Sequence, residues 1–138
     1  MPILDTLSRE AEFLRVMLRA GASLRRYPID GSASASDLAE QWAKRMPGAP
    51  AIRFEDEVVT WGELDAEASR YAHWARSRGV RRGDVVAIFM ENRPEYLYAW
   101  LGLAKLGAVG ALINTNLRGQ PLSHTLKLAD ARLHVVGH

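Results

Sequence analysis

The segment ALINTNLRG, residues 111–119, passes from apolar residues into polar side chains that could bind an anion. Arg118 carries a permanent charge on a planar fork that suits phosphate or carboxylate. A helix beginning at about Gln120 would add backbone N–H groups, which attract anions at a helix N-terminus. Asn114 and Asn116 can adopt positive φ and cap backbone groups. Two interpretations stay open: a loop that holds a phosphate or carboxylate, or a well-made turn.

The rest of the chain offers few residue types for catalysis or metal binding. It has no cysteine, which excludes disulfides, thiolate metal sites and a cysteine nucleophile. The four histidines show no HExxH or HxH spacing, and no GxGxxG or GxxxxGK[ST] motif is present. Asp84 and Asp130 are interpreted as turn and helix-end residues. We therefore predict no catalytic residue and no metal site in this sequence.

Composition indicates an ordinary globular protein with one core. The chain has 138 residues, 48% apolar and 25% charged, with a net charge of +2. This near balance, without a basic stripe, argues against nucleic-acid binding. No apolar run approaches the roughly 20 residues of a spanning helix, and the N-terminus lacks a signal-peptide core. We expect a cytoplasmic protein, and the fifteen arginines against three lysines hint at a GC-rich bacterial genome.

Residues 1–36 form a separate leader in this interpretation, made of an amphipathic helix and a flexible linker. Apolar residues recur at helical spacing between residues 4 and 20, and GSASAS at 31–36 has linker composition. Residues 15–27 hold four arginines and no acid. The stretch 4–27 could lie on an anionic membrane surface, at the periphery of the inner membrane. Alternatively, it packs against its own protein.

Two helices and a hairpin are predicted after the leader. Asp37 begins a helix, with Glu40 completing a capping box, and this helix stops at Pro47. AIRFEDEVVTW, residues 51–61, reads as a β-hairpin that turns at residues 55–57. The next helix is capped by Thr60 together with Glu63, and it ends at Gly79.

Buried strands then alternate with helices, which predicts an α/β fold: a three-layer parallel sheet with helical crossovers plus the N-terminal hairpin. Asn92 is predicted to cap the helix PEYLYAWLGLAKLG, which Gly107 closes, and the hairpin is expected at one sheet edge. Ligands of such sheets lie beyond the carboxyl ends of the strands, which here are followed by loops 91–94 and 114–119. The strands are predicted at residues 85–90, 108–113 and 133–136.

An ordered series of fragments resembles a known family. VTWGELD, RGDVVAIFMENRPEY and LGLAKLGAVGALINTNLR follow the order and spacing of adenylate-forming acyl-CoA synthetases. ALINTNLRG is similar to the fatty-acid-transport-protein branch, the very-long-chain acyl-CoA synthetases. The similarity covers residues 37–138, so the resemblance implies that these residues are the N-terminal α/β subdomain of that enzyme fold, truncated.

The resemblance implies a ligase that uses ATP, Mg²⁺ and CoA to convert a fatty acid into its CoA thioester. The family's phosphate loop and catalytic lysine would lie beyond His138, so the fragment should be inactive and hold none of these ligands. Arg118 and Asn116 match positions near the CoA phosphates. Asn114 and Thr115 match the branch's loop near the acyl and CoA channel.

Alternative functions and partners remain at this point. The chain could be a free-standing α/β binding module with a basic leader. Within the superfamily it could come from an aryl-CoA ligase or a peptide-synthetase adenylation domain. As a fragment it would have the remainder of its own enzyme as a partner, and it would expose apolar surface that promotes self-association.

Overall fold

The computed structural model describes Arg15, Met17 and residues 34–137, the latter belonging to one compact unit that begins at Ser34. Within these residues there are four helices and five strands in addition to the helical Arg15 and Met17. The rest of the predicted leader, including the membrane-contact stretch 4–27, lies outside the described residues. None of the described helices is long and apolar enough to span a membrane.

Helix α1, Ala35–Arg45, begins earlier than predicted. Ser34 is its N-cap: the hydroxyl accepts from the Asp37 N–H at 3.3 Å, and the Asp37 carboxylate accepts from the Ser34 N–H at 2.6 Å. The prediction that Asp37 and Glu40 form the capping box is therefore wrong. Because the box is satisfied three residues upstream, Ser36 enters the helix and is buried.

The predicted hairpin is confirmed as strands β1, Pro50–Phe54, and β2, Glu57–Thr60, joined at Glu55 with φ 51°. Its expected place at one edge of the parallel sheet is wrong. The two strands form a sheet of their own. Ile52 and Val59 pack instead into a helical core cluster, and burial of their side chains fixes the hairpin there.

Two longer helices follow. Helix α2, Trp61–Ser77, has the predicted capping box of Thr60 and Glu63, and Gly79 after it has φ 82°. Helix α3, Pro94–Lys105, is not capped by Asn92 as predicted. Pro94 occupies its first turn, and since a residue before proline is held extended, Arg93 becomes the N-cap without a side-chain cap bond.

The parallel sheet is confirmed, in the strand order β4–β3–β5. Helix α4, Gly119–Ala129, makes the second crossover. Because parallel crossovers are right-handed as a rule and the two crossovers run in opposite directions from β3 and β4, we expect α3 and α4 on opposite faces of the sheet. Central β3 is buried, whereas β4 was wrongly predicted as a buried strand: Val109 and Leu112 are 53% and 52% exposed because β4 has a neighbour on one side only. The strands are β3, Val85–Phe89, β4, Val109–Leu112, and β5, Leu133–Val136.

Candidate functional site

A cleft of about 460 Å³ lies at the carboxyl ends of β3 and β4. Strands β3 and β4 are parallel neighbours, with Ile88 paired to Leu112, so the residues that follow them meet at one edge. Segments 90–92 and 112–115 line the cleft together with Tyr96 of α3. The fold thus brings predicted residues Asn114 and Thr115 beside the loop that precedes α3.

The loop after β4 is held by its own hydrogen bonds. The Asn114 side-chain oxygen accepts from the Asn116 N–H at 2.9 Å, and the Asn114 carbonyl accepts from the Leu117 N–H at 3.2 Å. This is the Asx-turn use of asparagine. Neither asparagine has positive φ, which among described non-glycine residues occurs only at Glu55 and Asp130. Of the two uses that the sequence allowed for these asparagines, the loop shows the capping of a backbone N–H by Asn114 and not positive φ.

Arg118 lies at the rim of this loop rather than in the cleft wall. It is the N-cap residue of α4, and its Nη1 donates to the carbonyls of Thr115 and, at 2.8 Å, Leu117. Its Nε and Nη2 make no hydrogen bond within residues 34–137, and the side chain is exposed. A guanidinium held through one nitrogen leaves its other N–H groups available as donors at an exposed position.

The four predicted site residues thus divide into two groups. Asn114 and Thr115 line the cleft, while Asn116 and Arg118 are exposed at its outer side. The described residues include no group of three or more His, Asp or Glu side chains placed to hold a metal ion.

A second cavity was missed by the sequence reasoning. This apolar groove, of about 310 Å³, runs between β1 and the first half of α3. Asn92 and Tyr96 line both the groove and the cleft. The only signal in the sequence was the alternation of Ile52 and Phe54, which predicts one apolar face of β1 but not what lies opposite. The groove is lined by Ile52, Phe54, Asn92, Arg93, Tyr96 and Leu97.

An ion pair borders the groove. Arg93 Nε donates to Glu95 Oε2 at 2.8 Å, and Nη2 donates to Oε1 at 3.3 Å. The hydrogen bond from Arg93 lowers the pKa of the Glu95 carboxyl, and the same pairing raises the pKa of Arg93. Both groups therefore stay ionised near neutral pH and compensate each other's charge.

This architecture, a hairpin beside a doubly wound parallel sheet with a cleft at the strand ends, is that of the N-terminal subdomain of adenylate-forming enzymes. The fold is similar to the N-terminal subdomain of Klebsiella oxytoca NpsA in complex with anthranilyl-AMSN, with a TM-score of 0.70 and 29% identity over 75% of this chain and 27% of that chain. It is also similar to unliganded O-succinylbenzoate coenzyme A synthetase from Bacillus subtilis, with a TM-score of 0.67 and 32% identity over 71% of this chain and 22% of that chain.

Residues 39–138 match the sequence model of the AMP-binding enzyme family, and the chain belongs to that family. It is 36% identical to human long-chain fatty acid transport protein 1 over 98% of this chain and 21% of the relative. It is 35% identical to the medium/long-chain-fatty-acid–CoA ligase FadD6 of Mycobacterium tuberculosis over 75% of this chain and 17% of the relative. The resemblance to acyl-CoA synthetases of the fatty-acid-transport-protein branch is thereby confirmed, and the chain spans about a fifth of these relatives' length.

Proposed function

We propose that this chain is the N-terminal α/β portion of an ATP-dependent long-chain fatty acid–CoA ligase. The observation that carries the proposal is the identity of 36% to a long-chain fatty acid transport protein across 98% of the chain. The name of FadD6, another relative, states a fatty acid–CoA ligase. In the overall reaction the fatty carboxylate attacks the α-phosphate of ATP and releases pyrophosphate. The CoA sulfur then attacks the acyl carbonyl and AMP leaves.

The described residues would contribute binding surface to this reaction. Asn114 and Thr115 form part of the cleft wall at the ends of β3 and β4. The Asn114–Asn116 turn fixes the loop, and Arg118 at its rim presents donors for a CoA phosphate. The carboxylate of Glu91 also lies at the cleft and is exposed.

We expect Arg118→Ala to raise the KM for CoA by about tenfold in the complete protein, because a charge-assisted hydrogen bond to phosphate is worth about 1.5–3 kcal/mol. The KM for ATP should not change. Steady-state assays with each substrate varied in turn check both values. Arg53→Ala, on the exposed side of β1, is the matched control and should leave both unchanged. An equal rise in the KM for ATP would contradict the assignment.

The reaction itself is tested with the complete product of the reading frame that encodes these residues. Oleate should give pyrophosphate release that depends on ATP, and oleoyl-CoA once CoA is added, each detected by mass spectrometry. Acetate serves as the short-chain control and should give little product. Turnover of 3-hydroxybenzoate in preference to oleate would replace the fatty-acid proposal with an aryl-CoA ligase.

The 138-residue chain alone should release no pyrophosphate from ATP and oleate above a no-protein control. Its three lysines, Lys44, Lys105 and Lys127, include none in the family's lysine motif, and Lys105 is held by Glu40 and Asp65. A sensitive coupled pyrophosphate assay checks this expectation. Turnover by the isolated chain would mean that the adenylation chemistry resides in residues 1–138.

A further inference from the structure

A cavity of about 580 Å³ lies at the amino ends of the parallel strands, at the edge of the sheet opposite the cleft. It is formed by the last turns of α2 and α3 and by the loop that leads into β3. Its volume is in the range of ligand pockets. Because β3 has five residues, about 15 Å separates this edge of the sheet from the cleft. We call it the basic cavity, since its lining includes Arg76, Arg81, Arg82 and Lys105.

The two loops beside the basic cavity are fixed to each other by the backbone. The Gly83 N–H donates to the Gly107 carbonyl at 2.9 Å, and the Val109 N–H donates to the Asp84 carbonyl at 2.8 Å. The side chain of Arg82 lies against Gly107, where a Cβ atom would be 3.1 Å from its Cγ and 3.6 Å from its Nη1. The fold therefore holds Arg82 at the cavity before any ligand is bound.

Three arginines of the basic cavity have no acidic partner. Within the described part of the chain, Arg76, Arg81 and Arg82 make neither an ion pair nor a side-chain hydrogen bond. Asp84 belongs to the same loop, but its carboxylate accepts from the backbone N–H of Arg81 at 2.8 Å and lies 3.6 Å from Nε of Arg132. The three guanidinium groups thus keep their donors for another acceptor.

Capping of the two helix ends does not use these arginines. Cations are often found at helix C-termini, where they bond the last carbonyls or compensate the helix dipole. Here the carbonyl of Ala75 accepts from the Val80 N–H at 3.1 Å, and that of Leu103 accepts from the Ala108 N–H at 3.0 Å. Backbone groups therefore already satisfy these carbonyls of α2 and α3.

The charge that remains at the basic cavity is positive. Two helix C-termini together carry about one negative charge. Lys105 lies 2.5 Å from Glu40 and 2.8 Å from Asp65, so these three groups together add one further negative charge. The three guanidinium groups exceed both contributions. An anion that enters the cavity is therefore attracted, and salt should weaken this attraction because the arginines are exposed.

We propose that the basic cavity binds a phosphate-bearing ligand through Arg76, Arg81 and Arg82. A guanidinium group presents a planar fork of donors that matches two phosphate oxygens, and such charge-assisted hydrogen bonds are stronger than neutral ones. The site does not depend on the proposed function, because neither the cleft nor the ligase reaction enters its derivation. Two sources share this chemistry: a soluble oligophosphate and the head group of an anionic phospholipid.

Isothermal titration calorimetry of the 138-residue chain with sodium pyrophosphate tests the soluble source. Pyrophosphate should bind about tenfold more tightly than inorganic phosphate, because it presents two phosphoryl groups to three guanidinium groups. Arg76→Ala, Arg81→Ala and Arg82→Ala should each weaken binding about tenfold. Circular dichroism checks that each variant is folded, and Arg76 and Arg81 keep the test valid if the loss of Arg82 disturbs the loop.

Two matched variants show whether the anion is bound at this cavity. Arg53→Ala removes an exposed arginine of β1 and should leave pyrophosphate affinity unchanged. An equal loss in Arg53→Ala would mean diffuse attraction to the surface and would overturn the site. A loss in Arg118→Ala in place of the cavity variants would locate the anion at the loop after β4, which also overturns it.

Co-sedimentation with vesicles tests the lipid source. The chain should sediment with phosphatidylcholine vesicles that contain phosphatidic acid more than with pure phosphatidylcholine vesicles if the ligand is a head group, and Arg81→Ala should reduce this binding about tenfold. Binding of pyrophosphate alone would identify a soluble ligand instead. Failure of both pyrophosphate and the vesicles to bind would overturn the proposal, while ligase activity of the complete protein would be unaffected by that result.

Discussion

Replacing Gly102 by alanine should lower the free energy of unfolding by about 2 kcal/mol. Gly102 is buried on α3 where that helix meets α2. A Cβ atom there would lie 2.6 Å from the carbonyl oxygen of Ala68 and 2.8 Å from Cβ of Tyr71. These atoms belong to or adjoin the backbone, so no rotamer change relieves the contact and the helices must separate.

Alanine also stabilises the helix itself relative to glycine, which offsets part of the cost of the close contact. It is favoured over glycine inside a helix by about 1 kcal/mol, while overpacking costs roughly 1–3 kcal/mol. A contact as short as 2.6 Å to a carbonyl oxygen places the cost at the upper end of that range, which leaves a net loss of about 2 kcal/mol.

Urea denaturation of the 138-residue chain measures the effect. Gly48→Ala is the matched control, because a Cβ at Gly48 would meet no atom within 4 Å, and we expect a change within about 0.5 kcal/mol. If Gly102→Ala were as stable as the control, the close approach of α2 and α3 would not constrain the fold.

Replacing Lys105 by methionine should cost about 2 kcal/mol of stability. Lys105 Nζ lies 2.5 Å from Glu40 Oε1 and 2.8 Å from Asp65 Oδ1, and its side chain is only 13% exposed. The ammonium thus joins α1, α2 and α3. Removing one partner of a fully buried pair costs about 3–5 kcal/mol, but Glu40 and Asp65 are 36% and 29% exposed, so water compensates part of their lost partner.

The contribution of Lys105 should disappear at high pH. Burial acts to lower its pKa, but hydrogen bonds to Asp65 and Glu40 outweigh burial, and the pKa lies above its ordinary value. A group with a raised folded-state pKa stabilises fully below its unfolded value, about 10.4 for lysine, and this stability is lost as pH rises through the folded pKa. The difference between the unaltered chain and Lys105→Met should therefore narrow above about pH 10.4.

Guanidinium denaturation at several pH values checks this dependence. Lys44→Met is the control: Lys44 is 78% exposed and lies 3.9 Å from the other oxygen of Glu40, so its removal should cost less than about 0.5 kcal/mol. A difference for Lys105→Met that stays constant to pH 11.5 would show that packing of the alkyl chain, and not the charge, is what the substitution removes.

Much of the secondary structure could be predicted because its signals act within a few residues. The Thr60–Glu63 capping box and the glycines after α2 and α3 define helix ends through local hydrogen bonds and positive φ. The predicted cap of α1 was wrong because Ser34 and Asp37 both suit an N-cap. The structure uses Ser34, whose hydroxyl and the Asp37 carboxylate satisfy each other's backbone N–H groups, and Ser36 is buried as a consequence.

The site could be predicted in part for the same reason. A loop at the end of a parallel strand must lie at the ligand edge, so the sequence alone placed Asn114 and Thr115 at the cleft. It did not determine that Arg118 would bond the carbonyls of its own loop. It gave no indication that Asn92 and Tyr96 would line a second, apolar cavity as well as the cleft.

By itself, the sequence determined the helices, the strands and the family. The alternation of strands with helices also indicated a parallel sheet. Only the tertiary structure decided that the hairpin stands apart from the parallel sheet and that β4 is an edge strand. It also decided that Phe54 faces α3 across an open groove. The physical reason is the distance along the chain over which each signal acts. Capping and periodicity act between residues a few positions apart. The positions of the hairpin and of the groove depend on apolar side chains some 40 positions apart, and the burial of those side chains is decided only when their surfaces meet.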